Sequence, residues 1–388
     1  MRDAMWALVY DRSKDPWDSS RGLRRQQVER PRLDPAADYR DSAMVLVRPR
    51  FAGFCGSDRS IWFRRAFGEM ILSSLDREGK DVRVVGHELL GEVVEAGPEA
   101  TRDYGYRPGD VVSTESHIVC NSCYQCRIGD SHVCATARII GVSLDGCFAE
   151  VVKLPAQTLW PTDVRKIRPE VAALQEPFGN AVHACTKVIL RGKSVAVIGC
   201  GTIGLLAVAV ARALGARQVL GVEPVRSHVE MARRLGADAV VEPSRPTEHS
   251  FVHDEAITRR IHELTGGVGV DVALEMSGSN AALNTALAAV RRGGHVILFG
   301  LKAGDAVIEG LDRVIVDGIT LHAVVGRRIF ETWHITRNLL ESREPNIHDL
   351  VWEVILDRGR DTVVPFAGFD PSSFEERIGR HPKVLLQF

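Results

Sequence analysis

The sequence predicts an α/β protein in two parts: a β-rich part to about residue 180, then a doubly wound parallel sheet with helices on both faces. Three observations predict it. Short Val/Ile runs broken by Gly and Pro fill the first part. From Lys193 onward strand and helix patterns alternate. The chain has 388 residues, which is long for one domain.

In the first part, AMVLVRPRFAGFCG, GHELLGEVVEAG and YRPGDVVST read as strands separated by short turns, which is all-β wording. The second part opens with SVAVIG as a buried strand and residues 202–216 as a helix closed by Gly. QVLGVEP is the next strand, and 226–237 the next helix. DAVVEP, a helix from about His253 to Leu264, VDVALEMSG, a helix over 280–292, HVILFG and GITLHAVVG continue the alternation. After Arg327 a helix over 329–342, short mixed elements and a last strand, KVLLQF, are too few for a domain. They are expected to return to the first one. The expected division is therefore 1–180, 181–326 and 327–388, with neither internal repeats nor a low-complexity linker.

A formal net charge of −1 argues against a polyanion-binding role, which needs a surplus of Lys and Arg. The basic stretch 21–32 reads as a solvated loop face, so no nucleic-acid partner is expected. No run reaches membrane-spanning length, and the apolar stretch around 205–210 is stopped by Arg212. The opening MRDAMWALVYDRSKD is charged and alternating, without a signal-peptide core. A reducing, cytoplasmic setting is expected, where eight cysteines serve as metal ligands rather than disulfides.

GCGTIG follows one predicted strand and opens a helix. Gly199 allows the tight turn, Gly201 lets the backbone approach a pyrophosphate, and Gly204 lets helix and strand pack closely. The free N–H groups of the helix terminus then meet the phosphates. Alone this motif is weak. It gains specificity from Glu223, nineteen positions after Gly204 and at the end of the next strand, where a carboxylate accepts hydrogen bonds from ribose hydroxyls. Glu223 would repel a 2′-phosphate, which favours NAD over NADP; Arg226 nearby works against that preference.

CNSCYQCRIGDSHVC spaces Cys120, Cys123, Cys126 and Cys134 with gaps of two, two and seven residues. Four thiolates so close can complete a tetrahedron around zinc and leave no position open, so this is a structural site. A second set is dispersed: Cys55 in FCGSD, His87 and Glu88 in GHE, and Glu176 in QEPFGN. Each is a zinc ligand or near-ligand by type and lies within two residues of a Gly or Pro. His87 alone would more often be a structural histidine; the set gains weight by occurring with a nucleotide fold and a Cys₄ lobe. Zinc with an open position acts on an alcohol oxygen as a Lewis acid. Cys147, Cys185 and Cys200 read as small buried filler.

These residues resemble the zinc-containing medium-chain alcohol dehydrogenases, in the branch of threonine 3-dehydrogenase and sorbitol dehydrogenase. The resemblance runs nearly the length of the chain, in the order FCGSD, GHE, the Cys₄ lobe, EPFGNAVH, GCGTIG, LEMSG, GRRIFETW and KVLLQF. EPFGNAVHA and GRRIFETW look most like threonine 3-dehydrogenase, whose signature helix would carry Phe330, Glu331 and Trp333. The resemblance implies a GroES-like catalytic domain, a Rossmann domain, an active site in the cleft between them, and homotetramers. It implies one catalytic zinc on Cys55, His87 and Glu88. Glu176 would touch that zinc transiently or assist proton transfer. Ser57 would take the alcohol proton, and His117 would lie close to substrate. On the cofactor side it implies Ile203, Glu223, Phe299, Gly300, Leu301, Val324 and Val325.

Four departures stand out. Ser60, preceded by Arg59, occupies the place of a relay histidine five positions after the zinc cysteine. His228 replaces an arginine five beyond the ribose acid. The stretch from Cys55 to His87 is longer than usual, and residues 11–31 look inserted. The expected activity is hydride transfer from a small secondary alcohol to NAD, giving a ketone. The leading substrate class is an amino-acid alcohol such as L-threonine, for whose carboxylate Arg327 is available. A polyol, sugar or cyclitol is the alternative, and a non-catalytic NAD-binding protein is a third reading.

Overall fold

The computed structural model describes residues 4–243, 251–302 and 304–388. They form two compact units, Met1–Pro177 with Leu356–Phe388, and Phe178–Ile355.

The first unit is built on the strand Met44–Phe54. It pairs antiparallel with Glu88–Ala96, with Val152–Pro155 and with the terminal strand Val384–Gln387. The tail thus returns as a strand of the first unit. Register decides which side chains meet. Gly53 stands opposite Glu88 on one side, and Phe54 opposite Val384 on the other, so Cys55, Glu88 and Lys383 gather at one strand end. Beneath them lies an aromatic core, with Phe54 stacked on Phe148 at 5.8 Å and Phe374 edge-on to Phe54 at 5.0 Å.

The region read as all-β also contains the helices Gly56–Trp62, Gly68–Glu78 and Pro98–Tyr104. Gly68–Glu78 buries Ile71, Ser74 and Leu75, a spacing of three and four that marks a helix face. Buried Arg83 ties it down, donating to Ser74 Oγ at 3.0 Å, Glu78 Oε1 at 2.9 Å and Asp145 Oδ1 at 3.0 Å. The inserted segment supplies the strand Arg24–Glu29, paired with Ala4–Asp11, and lays Trp17 on Gly68. A Cβ on Gly68 would come within 2.5 Å of that indole.

The second unit is a six-stranded parallel sheet. Its strands are β1 (Ser194–Ile198), β2 (Gln218–Val222), β3 (Ala239–Val241), β4 (Val270–Glu275), β5 (Val290–Leu298) and β6 (Thr320–Ala323), in the order β3-β2-β1-β4-β5-β6. This is the doubly wound arrangement, with the strand order reversing between β1 and β4. Helices Thr202–Ala213, Arg226–Arg234, Glu255–Leu264 and Asn280–Ala289 connect the strands as the alternation predicts. The last of these stops at Ala289 rather than Arg292, because residues 290–292 already extend into β5.

The units divide at Pro177 and at Ile355, so residues 327–355, assigned from sequence to the return segment, lie in the second unit. The reason is local packing. The turn Val351–Ile355 contacts the helices Thr202–Ala213 and Arg226–Arg234, and His183 Nδ1 lies 3.0 Å from the Gly326 carbonyl.

Candidate active site

The first metal centre is the lobe around residues 120–134. Cys120, Cys123, Cys126 and Cys134 bring their sulfurs within 4.8 Å of one another, with pairs at 3.6, 3.9 and 4.0 Å. A tetrahedron of Zn–S bonds about 2.3 Å long has edges near 3.8 Å, so the set fits zinc. Hydrogen bonds from Ser122 and from the Cys123 N–H push the Cys120 thiol down to about 5, toward the thiolate that a metal requires. All eight cysteines are thiols, and Cys147, Cys185 and Cys200 are buried as small core residues.

The second centre is assembled by two elements. Cys55 caps the helix Gly56–Trp62, while His87 and Glu88 lead into the strand Glu88–Ala96. Their ligand atoms lie within 4.8 Å of one another. Ser57 Oγ is 3.3 Å from His87 Nε2, which brings the predicted hydroxyl to the same place.

Two partners of these residues were not legible in the sequence. Asp58, fully buried, accepts the Cys55 N–H at 2.9 Å, and its other oxygen faces His87 Nδ1 at 3.7 Å. It therefore sits behind the imidazole as a charge partner, beyond hydrogen-bond distance. Burial pushes its carboxyl up to about 6 despite the pull of His87. Lys383, fully buried, holds both oxygens of Glu88 at 2.7 Å and donates to the Phe54 carbonyl at 3.2 Å. Gly53 makes this possible, since a Cβ there would lie 1.9 Å from Glu88 Oε2.

The charge balance suits a dication. Burial works against charge on His87, yet Asp58, Cys55 and Glu176 raise it to about 10. Three acidic groups press on one buried imidazole, and a bound metal ion neutralises such a donor set. The sulfur, imidazole and carboxylate are zinc ligand types.

Glu176 lies outside that three-residue cluster, although its charge acts on His87. It is buried and accepts a hydrogen bond from Ser116 Oγ at 2.8 Å. His117, next to that serine in sequence, has its ring half-buried, with Nδ1 lying 3.1 Å from Glu115 Oε1. Ser60, in the relay position, donates to the carbonyl of Gly56 at 3.0 Å. Its hydroxyl proton serves its own helix.

In the second unit the predicted cofactor residues follow the carboxyl ends of β1, β2, β5 and β6 or open the helices after β1 and β2. The strand order reverses between β1 and β4, the place where open α/β sheets bind ligands. Gly199, at φ 93°, makes the turn after β1, and Gly204 packs so closely that a Cβ would lie 1.9 Å from the Gly199 carbonyl. Gly201 has open space where its Cβ would be. Glu223 ends β2, accepting the N–H of Cys200 at 2.7 Å and of Val225 at 2.8 Å. A carboxylate has lone pairs left for ribose hydroxyls. His228 Nδ1 approaches the same carboxylate at 3.8 Å, while Arg226 and Ile203 stand at the openings of their helices. After β5, Phe299 and Gly300 donate to the Glu275 carbonyl, Leu301 is exposed, and Val324 and Val325 follow β6. Arg327 is buried and donates to Asn180 Oδ1 at 2.9 Å.

With this geometry in place, comparison with known proteins settles the class. Residues 41–164 match the alcohol dehydrogenase GroES-like domain, and 202–342 match zinc-binding dehydrogenase. The chain belongs to the zinc-containing medium-chain alcohol dehydrogenases. Within that family it falls in the threonine dehydrogenase branch. It is 39% identical over 347 residues to L-threonine 3-dehydrogenase of Pyrococcus horikoshii, covering 88% of this chain and 90% of that one. It is 36% identical to the Bacillus subtilis protein of the same name, covering 89% and 91%. Among solved structures, the alcohol dehydrogenase of Thermus sp. ATN1 superposes with a TM-score of 0.79 at 26% identity, covering 99% of both chains.

Proposed function

We propose that this enzyme oxidises the 3-hydroxyl of a 2-amino-3-hydroxy acid, with L-threonine as the leading substrate and NAD as hydride acceptor. The observation that carries the substrate is the 36–39% identity, over nearly nine-tenths of the chain, to proteins named L-threonine 3-dehydrogenase. Cys55, His87 and Glu88 would hold the catalytic zinc, and the four lobe cysteines a structural one. Zinc supplies a Lewis acid toward the substrate oxygen, and the dinucleotide supplies the acceptor for hydride. The protein contributes the rest. Ser57 takes the hydroxyl proton, Glu176 holds it, and Asp58 and Lys383 keep the ligands aimed. Gly199, Gly201, Gly204 and Glu223 bind the dinucleotide's phosphates and ribose.

We propose a cytoplasmic homo-oligomer, a tetramer in the family pattern. Eight thiols without a disulfide support the reducing compartment. No helix among the described residues is long and apolar enough to cross a membrane. The free edge of β6, with Leu321 and the neighbouring Ile315 and Val316 exposed, supports self-association.

A panel of hydroxy amino acids, polyols, sugars and cyclitols, read by NAD reduction, tests the substrate. L-threonine is expected to exceed every polyol in kcat/KM by about a hundredfold, a difference of about 2.7 kcal/mol. A polyol turned over faster than L-threonine would replace this assignment with the polyol class.

A further inference from the structure

Four side chains of the first unit form one hydrogen-bonded row. Glu115 Oε1 accepts the His117 N–H at 2.9 Å and lies 3.1 Å from His117 Nδ1. Ser116 Oγ lies 3.2 Å from the same Nδ1 and donates to Glu176 Oε1 at 2.8 Å. Glu115, Ser116 and Glu176 are all buried. Proton bookkeeping orients the row. A hydroxyl has one proton, and that of Ser116 is given to Glu176, so toward His117 its oxygen can only accept. Glu115 is a carboxylate and also accepts. His117 Nδ1 therefore carries a hydrogen, which the Glu115 carboxylate at 3.1 Å and the Ser116 oxygen at 3.2 Å share, while Ser116 gives its own to Glu176.

The support under this row is stiff. The Glu115 N–H is bonded to the Thr158 carbonyl at 2.8 Å, and the Ser116 carbonyl accepts from the Ile140 N–H at 3.0 Å. The backbone is thus held on both sides of the serine. A buried carboxylate takes its direction from the donors that meet it. Meanwhile the hydroxyl of Ser60 is spent on its own helix, which leaves Glu176 as the acceptor to be held in place.

We propose that Ser116 is a positioning residue, whose hydroxyl fixes the Glu176 carboxylate and ties it to His117. This rests on the reading of Glu176 as proton acceptor, so the experiment separates the two. The zinc-loaded full-length enzyme is compared with Ser116→Ala, Ser116→Thr, Glu176→Gln and the Ser116→Ala/Glu176→Gln double variant. Ser116→Ala is expected to lower kcat about tenfold with KM, zinc content and urea midpoint unmoved, and Ser116→Thr to recover most of the rate. In the Glu176→Gln background the same serine change should cost less than about twofold, because the group it acts through is gone. A crystal structure of Ser116→Ala should show the Glu176 carboxylate turned away from its native position. Equal losses in both backgrounds, loss of zinc in Ser116→Ala, or an unmoved Glu176 carboxylate would overturn the role of Ser116. A Glu176→Gln enzyme as fast as the native one would remove Glu176 as acceptor. A slow Glu176→Gln beside a fast Ser116→Ala would remove only the serine.

Discussion

Lys383 holds both carboxylate oxygens of Glu88 at 2.7 Å, and both side chains are buried. The two residues are 295 positions apart, and two strand pairings on either side of Met44–Phe54 bring them together. Lys383 thus ties the end of the chain to the candidate metal centre. Its ammonium balances the buried Glu88 charge and keeps that carboxylate from swinging.

Replacing Lys383 with Met keeps most of the volume and removes the charge. Breaking a buried pair from one side leaves an unpaired ion, with a loss of about 3–5 kcal/mol. Urea unfolding of Lys383→Met should show that loss, and the catalytic metal should bind more weakly. A midpoint within error of the native protein would show that Glu88 finds another partner.

Gly53→Ala is expected to act on the same carboxylate from the other side. Its Cβ would overlap Glu88 Oε2, and the strand cannot retreat because both its edges are paired there. Zinc content should fall toward one ion per chain, with the Cys₄ ion retained. Two ions per chain and native turnover would mean that the strand yields.

How much of the molecule was legible in its sequence differs by element. The parallel sheet comes from local pattern: runs such as SVAVIG and QVLGV, with a helix after each, need no tertiary information. The Cys₄ lobe comes from spacing alone. Lys383 does not, because the sequence shows only a lysine opening an apolar strand, and its partner depends on register. Asp58 left a fainter signal, three residues after the helix cap at Cys55, where an acid bonds back to the cap N–H. The helix Gly68–Glu78 was obscured by the β-rich text around it. Its three-four spacing of Ile71 and Leu75 was the available sign. Ser116 gave none, since a serine before a histidine is unremarkable until Glu176 is placed beside it.

The two metal centres should part under chelation. A closed thiolate sphere resists a chelator, whereas the mixed set at Cys55, His87 and Glu88 leaves room for one. Turnover should vanish with loss of about one zinc while the fold, followed by circular dichroism, persists. Cys55→Ser should likewise lower turnover by several orders of magnitude. Loss of both ions together with unfolding would show the centres to be coupled.

Glu223→Ser removes the acceptor for the Cys200 and Val225 N–H groups as well as for a ribose. NAD binding should weaken by roughly 1–3 kcal/mol. NADP should gain relative to NAD, since the repelling charge is gone and Arg226 and His228 remain at the adjacent helix. Binding titrations with both dinucleotides decide it. A native enzyme that used NADP as well as NAD would make Arg226 the dominant contact.

The last prediction concerns Ser60, which stands where the family resemblance would place a relay histidine. A relay group must accept a proton and release it, and a histidine suits this because its pKa lies near neutrality. Ser60 instead donates to the Gly56 carbonyl within its own helix, a bond that directs its hydrogen away from any relay. Ser60→Ala should therefore leave kcat within about twofold of native, while Glu176→Gln slows the enzyme strongly. Ser60→His restores the residue type but not its surroundings. Arg59 occupies the neighbouring position and donates to the His381 carbonyl at 3.1 Å. If the introduced imidazole reaches the site, turnover should rise near neutral pH with KM for the alcohol little changed. Glu176→Gln should then be less damaging in the Ser60→His background than alone, because a second acceptor serves. The measurement is kcat against pH for the native enzyme and these variants, under conditions where hydride transfer limits the rate. A Ser60→Ala enzyme slowed as much as Glu176→Gln would return Ser60 to the proton path and displace Glu176 from it.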